Sequence, residues 1–206
     1  HVFENKLYIY PSHDEDHDNL ITDGGDQFDM VDYHVFSMDT IQSKPVDHGI
    51  VLHVDDVPWA EKQMWAPDTA FKNGIYYFFF PARDYAGSFS IDPAVFIDDD
   101  GQAYLYFGGL WGGQLEKWQT GTFDAAGTEP SDDKPALYPK VAKLTADMLQ
   151  MDSSIQDVVI LDENGQPLLA GDHDRRFFEA AWLHKYNGTY YFSYSTGDTH
   201  FIAYAT

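Results

Sequence analysis

The chain has 206 residues, no cysteine, 17 % aromatic residues and a formal net charge of −22. That length favours one domain with a real buried core, and the lack of thiols excludes disulfides and thiol chemistry while fitting either a cytosolic or an exported bacterial protein. Such a charge repels phosphate backbones and anionic lipid, so nucleic-acid and membrane partners are not expected, and no apolar run is long enough to span a bilayer.

In chain order, the first predicted element is a hairpin over Val2–Tyr10, followed by a third strand over Tyr33–Met38. Next comes Trp65-Ala66-Pro67-Asp68, stiffened by the fixed φ of Pro67 and its restriction of Ala66. It leads into a second hairpin, Ala70–Phe78, turning at Asn73-Gly74. Ser90-Ile91-Asp92-Pro93 precedes a third, Val95–Phe107, turning at Asp98-Asp99-Asp100-Gly101. The stretch around Lys143 to Met151 carries a weak signal for a turn or two of helix. Phe177-Phe178-Glu179-Ala180-Ala181-Trp182 then opens a fourth hairpin, Leu183–Phe192, turning at Asn187-Gly188, with a further strand over Thr199–Tyr204. Asn-Gly and Asp-Gly between strand runs are strong hairpin signals because both residues tolerate positive φ.

Hairpins repeated with a third strand read as blades of an all-β propeller; a β-sandwich is the competing architecture. The rhythm is uneven. Tyr76 and Tyr104 occupy matching places only 28 residues apart, too few for a blade of four strands of about five residues plus turns. Either the second blade lacks its outer strands or residues are missing between 82 and 88, and the second is the expectation.

Asp68, Asp92 and Glu179 each stand at or just before the first strand of a hairpin. First strands line a propeller's central channel, so carboxylates at their ends would converge. Glu179 is flanked by Phe177, Phe178, Ala180 and Trp182. An apolar setting raises a carboxyl's pKa and keeps a proton available near neutral pH, as a general acid needs. The structural alternative is a strand-edge glutamate paired with Arg175 or Arg176. Asp14 through Asp18 suggests a calcium loop, but Asn19 and Gly25 stand where an EF-hand requires Gly and Glu. A solvated loop is expected there instead.

Together, Trp65-Ala66-Pro67-Asp68, Ser90-Ile91-Asp92-Pro93 and Phe178-Glu179-Ala180 resemble glycoside hydrolase family 43, the five-bladed propeller β-xylosidases and α-L-arabinofuranosidases. The resemblance covers essentially the whole chain as one catalytic domain, residues 1–206, containing blades one to four in part and incomplete at both ends. It implies an inverting hydrolase that releases xylose or arabinose from plant hemicellulose oligosaccharides, with xylose the leading choice. Glu179 resembles the general acid, and Asp68 the residue that tunes and orients it. The family's general base would lie upstream of His1, outside this chain; Asp14, at the far end of a hairpin strand, is not a substitute. Trp65, Trp111 and Phe178 are expected to wall the substrate pocket. Gly197-Asp198-Thr199-His200 resembles the place where a histidine faces a water-ligated calcium, so His200 is either a metal ligand or a structural histidine. No organic cofactor is implied. A non-catalytic sugar-binding propeller would lack the acid or its orienting Asp, and a retaining fructosidase would have more closely spaced carboxyls.

Overall fold

The computed structural model describes residues 1–15, 28–82, 91–108, 130–197 and 201–206. Its elements are strands in four small antiparallel sheets, each built on a tight hairpin. Strand β1 (Val2–Phe3) turns through Glu4 and Asn5, at φ 50° and 63°, into β2 (Lys6–Ile9). Strand β3 (Ser12–Asp14) continues the course of β2 after Pro11, and both pair with β4 (Met30–Met38). Pro11 has no N–H for the ladder, which explains the interruption. Strand β5 (Val46–His53) completes this sheet beyond β4.

The second sheet contains β6 (Asp68–Lys72) and β7 (Ile75–Phe79) among the described residues, joined by Asn73 at φ 54° and Gly74 at 81°. Two successive positive φ values make a type I′ turn, whose twist matches that of the strands it connects. The expected discontinuity between 82 and 88 lies outside the described residues. The third sheet runs β8 (Ala94–Ile97), β9 (Ala103–Phe107), β10 (Lys140–Lys143), β11 (Gln156–Asp157). Its hairpin closes with Gly101 N–H donating to the Asp98 carbonyl at 2.8 Å. The fourth contains β12 (Glu179–Tyr186), β13 (Thr189–Thr196) and β14 (Phe201–Ala205), with Asn187-Gly188 at the first turn.

The helical expectation for Lys143–Met151 is not met. The segment folds back on itself through a Leu144–Met151 bridge and a 2.9 Å bond from Thr145 N–H to the Gln150 carbonyl. Asp147 Oδ1 accepts from Leu149 N–H and from the Thr145 hydroxyl. Such local side-chain bonds compete with a helical ladder. Among the described residues the helical element is a short 3-10 turn, Val54–Asp56, and no helix is long and apolar enough to cross a membrane.

The apolar core is divided between successive sheets, as in a ring of blades and unlike the single interior of a two-sheet sandwich. Tyr33, Val57 and Met64 pack with Phe78 and Phe80 between the first and second sheets. Ala70, Ala103, Leu144 and Met148 fill the space between the second and third. Ile160, Leu168, Phe177, Ala181, Phe192 and Tyr194 join Tyr106 between the third and fourth.

Tyr33 also ties the first sheet to the segment leading into β6. Its side chain is 0 % exposed, and its hydroxyl donates to the carbonyls of Trp65 at 2.6 Å and Pro81 at 3.2 Å. Tyr33→Phe removes that donor from a buried polar contact. The expected cost is about 1–3 kcal/mol of unfolding free energy, measurable by denaturant titration. A variant as stable as the wild type would remove the tether from this account.

Candidate active site

The first strands of the four sheets are neighbours. Phe3 of β1 packs on Phe71 of β6 at 6.4 Å between ring centroids. Asp68, the first residue of β6, accepts the N–H of Val95 on β8 through Oδ2 at 2.6 Å. Asp92, two residues before β8, accepts the N–H of Ala180 on β12 through Oδ2 at 2.8 Å. His1 then contacts Asp68 through Nε2 and stacks on Trp182 of β12 at 5.7 Å. The acidic residues at the strand starts therefore do a structural task as well: Asp68 and Asp92 each hold the backbone of the following sheet.

The local geometry of β12 depends on a bulge. Glu179 pairs with Ser195 but Trp182 with Ser193, so β12 carries one extra residue. Bulges of this kind re-aim side chains and often occur beside active sites. Ala180 takes φ 58°, a left-handed conformation that costs a residue with a Cβ roughly 1–2 kcal/mol. In this position its N–H leaves the ladder and reaches Asp92. Asp92 is itself at φ 54°. Strain at two facing residues persists only when the surroundings fix it, and it concentrates at functional sites.

Burial is the main cause that pushes the Glu179 carboxyl up to about 7, and the negative charge of Asp92 raises it further. Burial also pushes Asp92 up, to about 6, against the lowering effect of the Ala180 N–H. Burial raises both carboxyls, and the negative charge of Asp92 adds to the rise at Glu179, so the pair favours a proton held on Glu179. Two carboxyls with different environments thus divide the roles of charge and proton donor.

Among the described residues, the alternative pairing of Glu179 with arginine does not form. Arg175 bonds Asp172 at 2.8 Å and Glu163 at 3.0 Å, and Arg176 faces His173 Nδ1 at 3.0 Å. Glu179 lines a cavity of about 650 Å³ with Ala180, Trp182, His184, Ser195 and Ile202. Phe178, just before it, is buried, and its N–H donates to the Ser195 carbonyl at 2.9 Å. Trp65 is half-buried three residues ahead of Asp68. Trp111 and His200 lie outside the described residues.

One expectation needs correction. Asp68 was expected to raise the pKa of Glu179, yet the carboxylate that acts on Glu179 is Asp92. The physical reason is that Asp68 is turned toward His1 and the Val95 amide, while Asp92 sits on the backbone of the residue next to Glu179. The sequence signal for Asp92 was present in Ser90-Ile91-Asp92-Pro93, which precedes a first strand just as Asp68 and Glu179 do.

Comparison with known proteins shows the family. Residues 82–206, which contain both Asp92 and Glu179, match the family described as Glycosyl hydrolases family 43. Xylosidase/arabinosidase 43A of Humicola insolens is 55 % identical over 236 residues, covering 98 % of this chain and 72 % of that protein. A xylosidase/arabinosidase of Bacteroides ovatus is 47 % identical, covering 100 % of this chain and 71 % of its own length. Among solved structures, a GH43 β-xylosidase/α-arabinofuranosidase from a compost microbial metagenome, in complex with xylotriose and in calcium-free form, superposes with a TM-score of 0.92 at 52 % identity. That superposition covers 100 % of this chain and 71 % of the other. The chain belongs to glycosyl hydrolases family 43, and its sheets are blades of that family's five-bladed β-propeller.

Proposed function

We propose that the protein is an inverting glycosidase that releases xylose or arabinose from plant hemicellulose oligosaccharides, with β-xylosidase activity the leading one. The observation that carries this reading is the placement of Glu179 in a cavity beside Asp92, which holds the Ala180 N–H at 2.8 Å, with burial and the Asp92 charge both raising the Glu179 carboxyl. The names of the relatives support the sugar class: xylosidase/arabinosidase for the two curated proteins, and a xylotriose complex for the solved structure.

In this reading Glu179 protonates the leaving glycosidic oxygen, and Asp92 raises its pKa and holds the N–H of the adjacent Ala180. Asp68 is a positioning residue that fixes β6 to β8. Trp65, Phe178 and Trp111 supply apolar walls for the sugar. Inversion requires a second carboxylate roughly 6.5–9.5 Å from the acid to activate water on the opposite face; that base is not assigned to a residue of this chain. A non-catalytic sugar-binding propeller has no use for a carboxyl held protonated near neutral pH, and the strained Asp92–Ala180 contact speaks for the catalytic reading.

Calcium at His200 forms part of the proposal, and the calcium-free form named for the solved relative supports it. The donor chemistry limits the part His200 can play. Hard calcium prefers oxygen, so an imidazole would fill one position in a shell of water. Stripping the full-length enzyme with a chelator is expected to lower its activity severalfold, and calcium should restore it. Unchanged turnover after chelation would remove calcium from the account and leave the carboxyl assignments standing.

The substrate class is tested by full-length enzyme on matched nitrophenyl β-xyloside and α-L-arabinofuranoside, with the product anomer followed by proton NMR. Hydrolysis of the xyloside with inverted product is expected. Retention would end the inverting mechanism, and binding of xylo-oligosaccharides without hydrolysis would favour the sugar-binding reading.

A further inference from the structure

A second cluster of polar side chains lies in the first sheet and shares no residue with the carboxyl site. His13 on β3 stands opposite Asp32 on β4, and His34 follows two residues along. Residues two apart on a strand face the same side, so Asp32 and His34 project together toward His13. His13 Nδ1 lies 3.2 Å from Asp32 Oδ1, and His34 Nε2 lies 4.0 Å from the same oxygen. The three ligand atoms are all within 4.8 Å of one another. Asp32 is 4 % exposed, while the His13 side chain is 51 % exposed and leaves an entry path from solvent.

From this arrangement we propose that His13, Asp32 and His34 form a binding site for a divalent transition-metal ion. The orientation of His34 argues for a ligand. Its Nδ1 is bonded to Asp47 on β5, at 3.0 and 3.2 Å to the two carboxylate oxygens. A carboxylate acceptor holds the ring proton on Nδ1, so the Nε2 lone pair faces Asp32. Metal-binding histidines commonly have such a carboxylate on the other ring nitrogen, which fixes the tautomer and raises ligand basicity. At 4.0 Å the gap from Nε2 to Asp32 is too long for a hydrogen bond. A tetrahedral ion with bonds of about 2.0–2.2 Å holds its ligands about 3.3–3.6 Å apart, so an approach of about half an ångström would let both atoms reach one ion.

Two imidazoles and one carboxylate select zinc, cobalt, nickel, iron or manganese in the divalent state. Calcium, which wants an oxygen shell, is disfavoured. An ion here would clamp β3 to β4, and β4 also carries Tyr33, the tether to Trp65.

The test is a cobalt titration of the full chain after dialysis against a chelator, read by visible ligand-field absorption. Expected is saturation at one equivalent, with affinity unaffected by millimolar calcium. His13→Gln and His34→Gln should each weaken binding tenfold or more, and Asp47→Asn by about tenfold through loss of the orienting carboxylate. His13 is exposed, so His13→Gln should keep the native circular dichroism spectrum. Zinc should raise the unfolding temperature of the wild type and leave that of His13→Gln unchanged. Absence of ligand-field bands, or equal cobalt affinity in wild type and both histidine variants, would overturn the proposal and reduce the cluster to a network of shared protons.

Discussion

Glu179→Gln is expected to lower hydrolysis of an unactivated xylo-oligosaccharide by about 10²–10⁴-fold, while a nitrophenyl glycoside loses much less. The side chain keeps its size and loses its acidic proton. A poor leaving group must be protonated as its bond breaks; a nitrophenolate departs unaided. The contrast between the substrates therefore separates a missing acid from a damaged pocket, which would slow both alike. Equal losses on both substrates would sink the assignment.

The same variant should alter stability with a definite sign. Glu179 holds its proton more tightly in the folded chain, with a pKa of about 7 against 4.5 for the free group. The folded state then binds more protons than the unfolded state between those values, so stability falls as pH rises through that window. Glutamine cannot ionise and avoids the loss. Glu179→Gln should unfold at a temperature a few degrees above the wild type at a pH above 7, a shift kept small because solvent reaching the carboxyl screens its charge. The difference should vanish below 4.5.

Asp92→Asn is expected to shift the alkaline limb of kcat toward lower pH. The negative charge of Asp92 favours the protonated form of Glu179, and removing it lets the acid ionise earlier. Burial of Glu179 remains, so the limb moves only part of the way back to an ordinary glutamate. At a pH above the limb, the protonated fraction falls about tenfold for every 1.36 kcal/mol by which the protonated form is less favoured. Asparagine retains an oxygen for the Ala180 N–H, so KM should change far less than kcat. Asp68→Asn is the contrast: Asp68 is turned toward His1 and the Val95 amide, so the limb should stay in place even if packing of β6 on β8 weakens activity overall. A limb that moves with Asp68 and not with Asp92 would restore the sequence-based assignment.

The hairpins were legible because their turns are local chemistry. Asn73-Gly74 and Asn187-Gly188 announce positive φ at the positions where the structure has it. The placement of Asp68, Asp92 and Glu179 at or just before first strands was legible too. Which carboxylate faces Glu179 was not, because the coupling runs through space. It depends on a bulge that puts Ala180 into a left-handed conformation, and alanine carries no signature for that state. The turn at Lys143–Met151 was misread because Thr145 and Asp147 capture backbone groups that a helix would use. The His13–Asp32–His34 cluster was hidden for a related reason: a long connection separates β3 from β4, and strand register alone brings the residues together.

The most direct measurement is the carboxyl carbon chemical shift of Glu179 against pH, by NMR on protein carrying labelled glutamate, with Glu179→Gln to assign the signal. The account expects a midpoint near 7 in the wild type and a lower one in Asp92→Asn. A midpoint near 4.5, or one that Asp92→Asn leaves unmoved, would contradict the pairing of Glu179 with Asp92 on which the mechanism rests.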